Sequence, residues 1–141
     1  MKNEHIQLDF NFCRRLDFQK NLNLEEAYSF FNKITFKVSS KKTLLIKHLK
    51  FLILELFSCW HESEYQFLAV SMSKRGYKAN SRYNPNNISS VVIEAINYLR
   101  ENFWIDFFPG FYDAKTNISR LTRIKASQKL TELFKQSNIN V

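Results

Sequence analysis

Glycine is almost absent from this chain, whose 141 residues include only Gly76 and Gly110. Glycine-rich phosphate loops need several glycines close together, because the backbone itself must approach the phosphate. The sequence therefore excludes a Walker A loop, a dinucleotide-binding GxGxxG turn and a GxSxG nucleophile elbow. Enzymes that depend on those motifs are excluded with them.

Cysteine and histidine are scarce as well, with two cysteines and three histidines. His48, Cys59 and His61 lack the paired spacings of zinc ligands, so we expect no metal, no cofactor and no catalytic residues. Cys13 and Cys59 fit free thiols that act as small buried hydrophobic groups in a reducing compartment. Since no secretory leader is recognisable, we expect a cytoplasmic protein. Since no cluster of residues supports catalysis, we expect that it is not an enzyme.

Long uninterrupted apolar runs are also missing. The longest apolar stretch, Leu44 to Phe57, contains four polar or charged residues and is shorter than the roughly 20 residues that a membrane span requires. Within it, leucines recur every three to four residues, which predicts a central core helix from Thr43 to Trp60. We therefore expect no membrane partner.

Positive charge is abundant, with a net charge of +8, and it is unevenly distributed. Residues 1–70 carry ten basic and eight acidic groups (net +2), whereas residues 71–141 carry eleven and five (net +6). An AT-rich coding sequence would raise lysine throughout the chain, but it would not place five of the seven arginines in the second half. The second half is therefore the expected site of contact with a polyanion.

The hydrophobic pattern indicates one domain over residues 1–141, with an N-terminal extension (1–40), a core (41–136) and a frayed tail (137–141). Alternation over 6–12 predicts a short strand or an extended arm. Asn23 is placed to cap a short helix over 23–33. A further brief strand is predicted at 34–38. The apolar segment 64–71 fits a strand or a helix, and we favour the strand.

The second half of the chain predicts a helix, a hairpin and a closing helix. Ser89 and Ser90 are placed to cap a helix over about 88–102, whose apolar stripe comprises Val92, Ala95, Ile96, Leu99 and Phe103. Apolar residues at 104–108 and 118–125 predict the two strands of a β-hairpin, and 109–117 forms its tip. Ser127 is placed to cap the closing helix. The predicted class is α+β and helix-rich.

This order of elements resembles a winged helix-turn-helix domain. The string SSVVIEAINYLRENFWIDFFPGFYDAKTNISRLTRIKAS resembles its recognition helix and wing. The part from GFYD to SRLTRI is similar to winged-helix proteins of bacterial plasmids and integrated mobile elements, whose plausible role is replication initiation or its control. The resemblance implies a winged helix with a β-hairpin wing (109–125) and an N-terminal α/β extension. Its implied function is binding of double-stranded DNA, as a transcriptional regulator or as a replication-initiator-like protein.

The resemblance also implies which residues contact DNA. On the helix these are Ser89, Ser90 and Asn97, with Ile93 and Glu94 beside them; on the wing they are Lys115, Arg120, Arg123 and Lys125. Strand alternation puts Arg123 and Lys125 on one face and Arg120 on the other. Two alternatives stay open: the arginines pair with Asp106 and Asp113 on a solvated strand, and capping alone explains the serines.

A second basic cluster lies in the polar loop 73–87. Its cations and its tyrosines alternate along the chain: Lys74, Arg75, Tyr77, Lys78, Arg82 and Tyr83. Such a mixture is typical of a surface that contacts phosphates or stacks on unpaired bases. An ordinary polar loop, with its tyrosines folded onto the core, explains the same residues equally well.

The alternative function is a protein–protein interaction module, in which the winged helix serves dimerisation or partner binding. Exposed aromatic residues at a wing tip, Phe111 and Tyr112, fit a contact with DNA or with a second protomer. The N-terminal segment is the expected homodimer contact. No motif for a small-molecule substrate is evident.

Overall fold

A computed structural model describes residues 13–16, 38–39, 41–62, 66–73, 77, 88–116 and 118–136. The strand predicted at 6–12, the helix at 23–33, most of the strand at 34–38 and the tail 137–141 lie outside these residues. The described residues form three helices and six strands. The predicted α+β class is confirmed.

The central helix, α1, spans Thr43–Glu62 and ends two residues later than predicted. Every residue from Phe51 to Phe57 is buried, so the helix is covered on all sides along these two turns. A helix that is apolar all round must lie inside a fold. In the described part of the chain, no helix combines the length and the apolar character needed to cross a membrane.

The main sheet has four strands in the order β1-β2-β6-β3. They are β1 (Cys13–Arg15), β2 (Phe67–Val70), β3 (Ile105–Phe108) and β6 (Thr122–Ala126). β6 pairs antiparallel with β2 and with β3, and β1 runs parallel to β2. The preference for a strand within 64–71 is confirmed by β2.

The predicted hairpin is confirmed, but its returning strand is divided in two. β4 (Phe111–Asp113) and β5 (Ile118–Arg120) form the outer part, and β3 and β6 form the base. The predicted continuous strand over 118–125 is wrong, because the ladder is interrupted opposite Pro109, which has no N–H to contribute. At the gap the Gly110 N–H donates to the Thr122 hydroxyl at 3.0 Å.

The other two helices complete the core around α1. Helix α2 (Val91–Glu101) packs on α1, and its predicted stripe from Val92 to Leu99 is buried. Helix α3 (Gln128–Gln136) inserts Phe134, whose ring lies 5.1 Å from that of Phe57. Ser127 caps α3 as predicted, since its hydroxyl accepts the Leu130 N–H at 3.4 Å.

The N-terminal strand is joined to α1 by a buried ion pair. Arg14 reaches from β1 to the Glu55 carboxylate at 3.2 Å, to the Ser58 hydroxyl at 3.2 Å and to the Glu62 carboxylate at 3.6 Å. The Glu55 side chain is fully buried, whereas Arg14 keeps some contact with solvent. The described part of the N-terminal extension therefore packs against the core of its own chain.

Helix α2 ends in a left-handed residue that the sequence pattern misplaced. Phe103 was predicted to continue the buried stripe, but it is 76% exposed and has a φ of 60°. Its N–H donates to the Arg100 carbonyl, and the Trp104 N–H donates to the Leu99 carbonyl at 2.9 Å. These bonds close a Schellman-type end, which requires positive φ at the position that glycine usually occupies. The prediction is wrong because the turn rotates Phe103 outward.

Phe103→Gly is expected to raise the free energy of unfolding by about 1 kcal/mol, because glycine adopts positive φ without the clash of a Cβ. Urea unfolding of both proteins measures this difference. Phe103→Ala is the control, since it removes the exposed ring but keeps the Cβ, and it should stay close to wild type. Equal stabilities of the Gly and Ala variants would show that the backbone is not strained there.

Candidate nucleic-acid interface

The sheet has an inner face against α1 and an outer face that carries positive charge. Along β6, Thr122, Ile124 and Ala126 are buried, while Arg123 and Lys125 alternate with them and are half-buried. Arg123 and Lys125 thus share a face, as predicted. By register, Phe108 and Asp106 of β3 lie beside them on this outer face.

Aromatic rings hold both cations of the outer face. The Lys125 Nζ lies 5.5 Å from the centre of the Phe67 ring, and the Arg123 Cζ lies 6.0 Å from that of Phe108. The two rings meet edge to face at 5.3 Å. Burial lowers the pKa of Arg123, but an arginine starts from so high a value that it keeps its charge. Both charges are therefore held near fixed positions, which reduces the entropy lost when an anion binds.

Among the described side chains of the outer part of the hairpin, one cation and several apolar groups are exposed. Lys115 lies in the turn at the tip and is exposed. Phe111 is 51% exposed, and Phe108 and Leu121 are each 40% exposed. Arg120 lies opposite Phe111 in β5, and its side chain is outside the described residues, as are those of Tyr112 and Asp113. Asp106, the other proposed ion-pair partner, lies opposite Lys125 in the ladder.

The solvent face of α2 is weakly acidic. Asn97 is exposed as the resemblance implies, but Glu94 and Glu101 flank it, and Arg100 is the one cation of the exposed helix residues. Arg100 lies over the Phe107 ring, with its Cζ 4.1 Å from the ring centre. The exposed side chains of α2 itself therefore carry two negative charges and one positive charge. Phosphate contacts are therefore better placed on the hairpin than on α2.

Of the two serines predicted to cap α2, Ser89 makes a side-chain bond of the capping type and Ser90 does not. Ser90 occupies the N-cap position but makes no side-chain capping bond, because its backbone is already helical (φ −60°, ψ −12°). A capping side chain reaches the free amides from an extended backbone, so the prediction for Ser90 is wrong. The Ser89 hydroxyl instead accepts the Val91 N–H at 3.3 Å. Ile93, beside them, is half-buried.

His48 connects α1 to the start of α2, a role that the sequence did not reveal. Its ring is fully buried, Nδ1 donates to the Leu44 carbonyl at 2.7 Å, and Nε2 accepts the Ser89 N–H at 3.0 Å. These two bonds require the neutral ring with its proton on Nδ1. Desolvation by burial lowers the pKa of His48, which favours that neutral form. The sequence signal that could have indicated this role is a histidine within the most apolar of the predicted helices.

Acidification is expected to destabilise the fold through His48. Its folded pKa lies below the ordinary 6.5, so the unfolded state binds more protons. The contribution is complete above pH 6.5 and is lost as the pH falls through the folded pKa. Each unit of depression corresponds to about 1.4 kcal/mol. Urea unfolding at pH 7.5, 6.5 and 5.5 measures the loss.

Two variants isolate the contribution of this histidine. His48→Gln should flatten the dependence on pH, whereas His61→Gln, at an exposed position near the end of the same helix, should preserve it. The same slope in wild type and in His48→Gln would contradict the assignment.

The second basic cluster lies mostly outside the described residues, including Lys74, Arg75, Lys78, Arg82 and Tyr83. Tyr77 is described and is buried. Its hydroxyl donates to the Ser71 carbonyl and accepts the Ser71 N–H, and desolvation by burial raises the pKa of Tyr77 to about 12. Tyr77 therefore fits the alternative of a tyrosine folded onto the core, and its ring is not available for stacking on a base.

The described residues show no group of three or more His, Cys, Asp or Glu side chains that could hold a metal ion. Cys59 is a free, buried thiol. No protein-family model matches this chain. No curated protein and no solved structure matches it significantly. A function is therefore proposed from the chain's own geometry and charge, together with the resemblance of its sequence to winged-helix domains.

Proposed function

We propose that this protein is a non-enzymatic winged helix-turn-helix protein that binds double-stranded DNA. In this proposal α2 is the recognition helix and the hairpin over 109–125 is the wing. The order α1, β2, α2, β3, hairpin, β6, with β6 between β2 and β3 in the sheet, supports it, because winged-helix domains share this order apart from a short helix before the recognition helix. The place of that helix in this chain, 78–87, lies outside the described residues. β1 then belongs to an N-terminal extension that widens the sheet.

The single observation that carries the proposal is the row of cations along the hairpin. Arg123 and Lys125 are held over aromatic rings at its base, and Lys115 is exposed at its tip. Cations spaced along one element can contact successive phosphates, and the release of condensed counterions then supplies the affinity. Arg120, in the same hairpin, is a further candidate for this contact.

The recognition helix contributes selectivity more than affinity in this proposal. The side-chain amide of exposed Asn97 can donate to N7 of adenine and accept from its N6 amino group in the major groove. The Glu94 carboxylate can accept from the N4 amino group of cytosine. Glu94 lies 3.7 Å from the Lys42 ammonium, which offsets part of its repulsion toward phosphate. The biological role is regulation of transcription or initiation of replication on a mobile element, as the sequence resemblance implies.

Fluorescence anisotropy with a random-sequence duplex tests the proposal. With four to six phosphate contacts, the affinity is expected to fall about 10²- to 10³-fold between 50 and 200 mM salt. Absence of binding at 50 mM salt would contradict DNA binding.

A second candidate function, protein–protein interaction, is favoured by one observation on the same hairpin. Phe108, Phe111 and Leu121 are all exposed there, and exposed apolar groups close together are typical of an interface. Sedimentation equilibrium over a concentration series tests it. A dimer that Phe111→Ser dissociates, in a protein that does not bind the duplex, would favour this function over DNA binding.

A further inference from the structure

A pocket lies at the base of the sheet, away from the hairpin tip. Its volume is about 260 Å³, and four elements contribute to it. The lining side chains used here are Trp60 of α1, Asp106 of β3, Lys125 of β6, and Gln128, Thr131 and Lys135 of α3. They combine two ammonium groups, one carboxylate, an amide and an indole ring in one small space.

One wall of the pocket is a flat aromatic ring. Trp60 is half-buried, and its ring lies 5.6 Å from that of Phe134 and 6.0 Å from that of Phe57. These contacts restrict the movement of the indole. A partly exposed, fixed indole offers a stacking surface to another planar ring.

The polar side of the pocket is positively charged by one unit. Lys125 and Lys135 outnumber Asp106, which lies opposite Lys125 in the ladder. Contact with the Phe67 ring positions Lys125, while Lys135 is exposed on the last turn of α3. Gln128 adds an amide N–H donor, since its side-chain amide has two and Glu132 accepts from one. This set of donors suits an anion with several acceptor oxygens.

We propose that this pocket binds a nucleotide unit, with its aromatic ring against Trp60 and its phosphate between Lys125 and Lys135. The pocket volume is slightly below the usual range of about 300–1,000 Å³ for ligand sites, so the ligand is a single nucleotide and not a dinucleotide cofactor. A free mononucleotide and one unit of a single strand share this chemistry. The site shares Lys125 with the duplex contacts proposed at the base of the hairpin, and it is separate from those at the hairpin tip.

Intrinsic fluorescence tests the proposal directly, because Trp60 lines the pocket. The other tryptophan, Trp104, is buried, with the Lys129 Nζ 3.8 Å from its ring centre. Titration of the full chain with AMP is expected to quench Trp60 with saturation, and Trp60→Phe should remove the quenching. Inorganic phosphate should bind at least about tenfold more weakly than AMP, because it lacks the ring that stacks. A dT₆ oligonucleotide identifies the source: tighter binding than AMP assigns the pocket to a strand, and weaker binding assigns it to a free nucleotide.

Matched lysine variants localise the binding. Lys135→Ala is expected to weaken AMP binding roughly tenfold, as the loss of one charge-assisted contact does. Lys129→Ala is the control on the same helix, because the Lys129 Nζ donates to the Asn102 carbonyl at 3.2 Å outside the pocket. Lys115→Ala at the hairpin tip should leave AMP binding unchanged while it weakens duplex binding, so failure of one proposal is distinguishable from failure of the other.

Three results would overturn the proposal. The first is no saturable change with either AMP or dT₆, and the second is equal AMP affinity of Lys135→Ala and wild type. The third is phosphate binding as tightly as AMP, which would remove the aromatic ring from the recognised ligand.

Discussion

Replacement of Arg14 by methionine is expected to lower the free energy of unfolding by about 3–5 kcal/mol, which is the effect of leaving a buried charge without its partner. The Glu55 carboxylate is fully buried, and Arg14 meets it at 3.2 Å from the neighbouring strand. Methionine keeps an unbranched apolar stem but removes the guanidinium charge and its hydrogen bonds to Glu55 and Ser58. Urea unfolding monitored by circular dichroism gives the difference.

The double variant Arg14→Met/Glu55→Met separates the ion pair from general packing. Removal of both charges is expected to recover most of the stability, because no uncompensated carboxylate then remains in the core. If the double variant were as unstable as Arg14→Met alone, the loss would come from packing of β1 and not from the buried charge.

The second large effect is expected at the tip of the hairpin. Lys115→Gln combined with Arg120→Gln should reduce the slope of log affinity against log salt by about 2 and lower duplex affinity at 50 mM salt by about 10²-fold. Two phosphate contacts are lost in this variant, whereas the core strands and α1 are untouched. Anisotropy titrations at four salt concentrations measure both quantities.

A matched pair of lysines outside both proposed sites is the control for this variant. Lys47→Gln combined with Lys129→Gln removes two positive charges from α1 and α3, away from the hairpin and from the pocket lining. Its slope should stay close to that of wild type. Equal changes in the two double variants would mean that net charge, and not the hairpin, determines DNA affinity.

Elements with strong local patterns could be predicted from the sequence. The three-to-four residue period of α1, the short apolar run of β2 and the turn residues between β3 and β6 each depend on neighbours in the chain. Alternation also gave the shared face of Arg123 and Lys125 correctly, because period 2 is a property of any strand.

The errors come from contacts between residues distant in sequence and from backbone stereochemistry. The bond from Ser89 to His48 spans 41 residues, and nothing local indicates it. The gap between β5 and β6 depends on Pro109 and Gly110 on the opposite strand, and the outward rotation of Phe103 follows from its positive φ. Apolar character alone predicts none of these.

The candidate sites were predicted unevenly for the same reason. The cations of the hairpin stand close together in sequence, so their clustering was visible there. The aromatic rings that hold them come from β2 and β3, and the pocket at the base of the sheet is built by four elements. Arrangements of this kind depend on the tertiary fold.

Amide hydrogen exchange with and without a random-sequence duplex tests most directly whether the hairpin is the DNA-contacting element. At 50 mM salt, DNA is expected to slow exchange over 109–121, with a smaller effect at the start of α2 around Ser90 and Ile93. The buried segment of α1 from Phe51 to Phe57 serves as the internal reference and should not change. Bound DNA that leaves exchange in the hairpin unaltered would contradict the proposed wing.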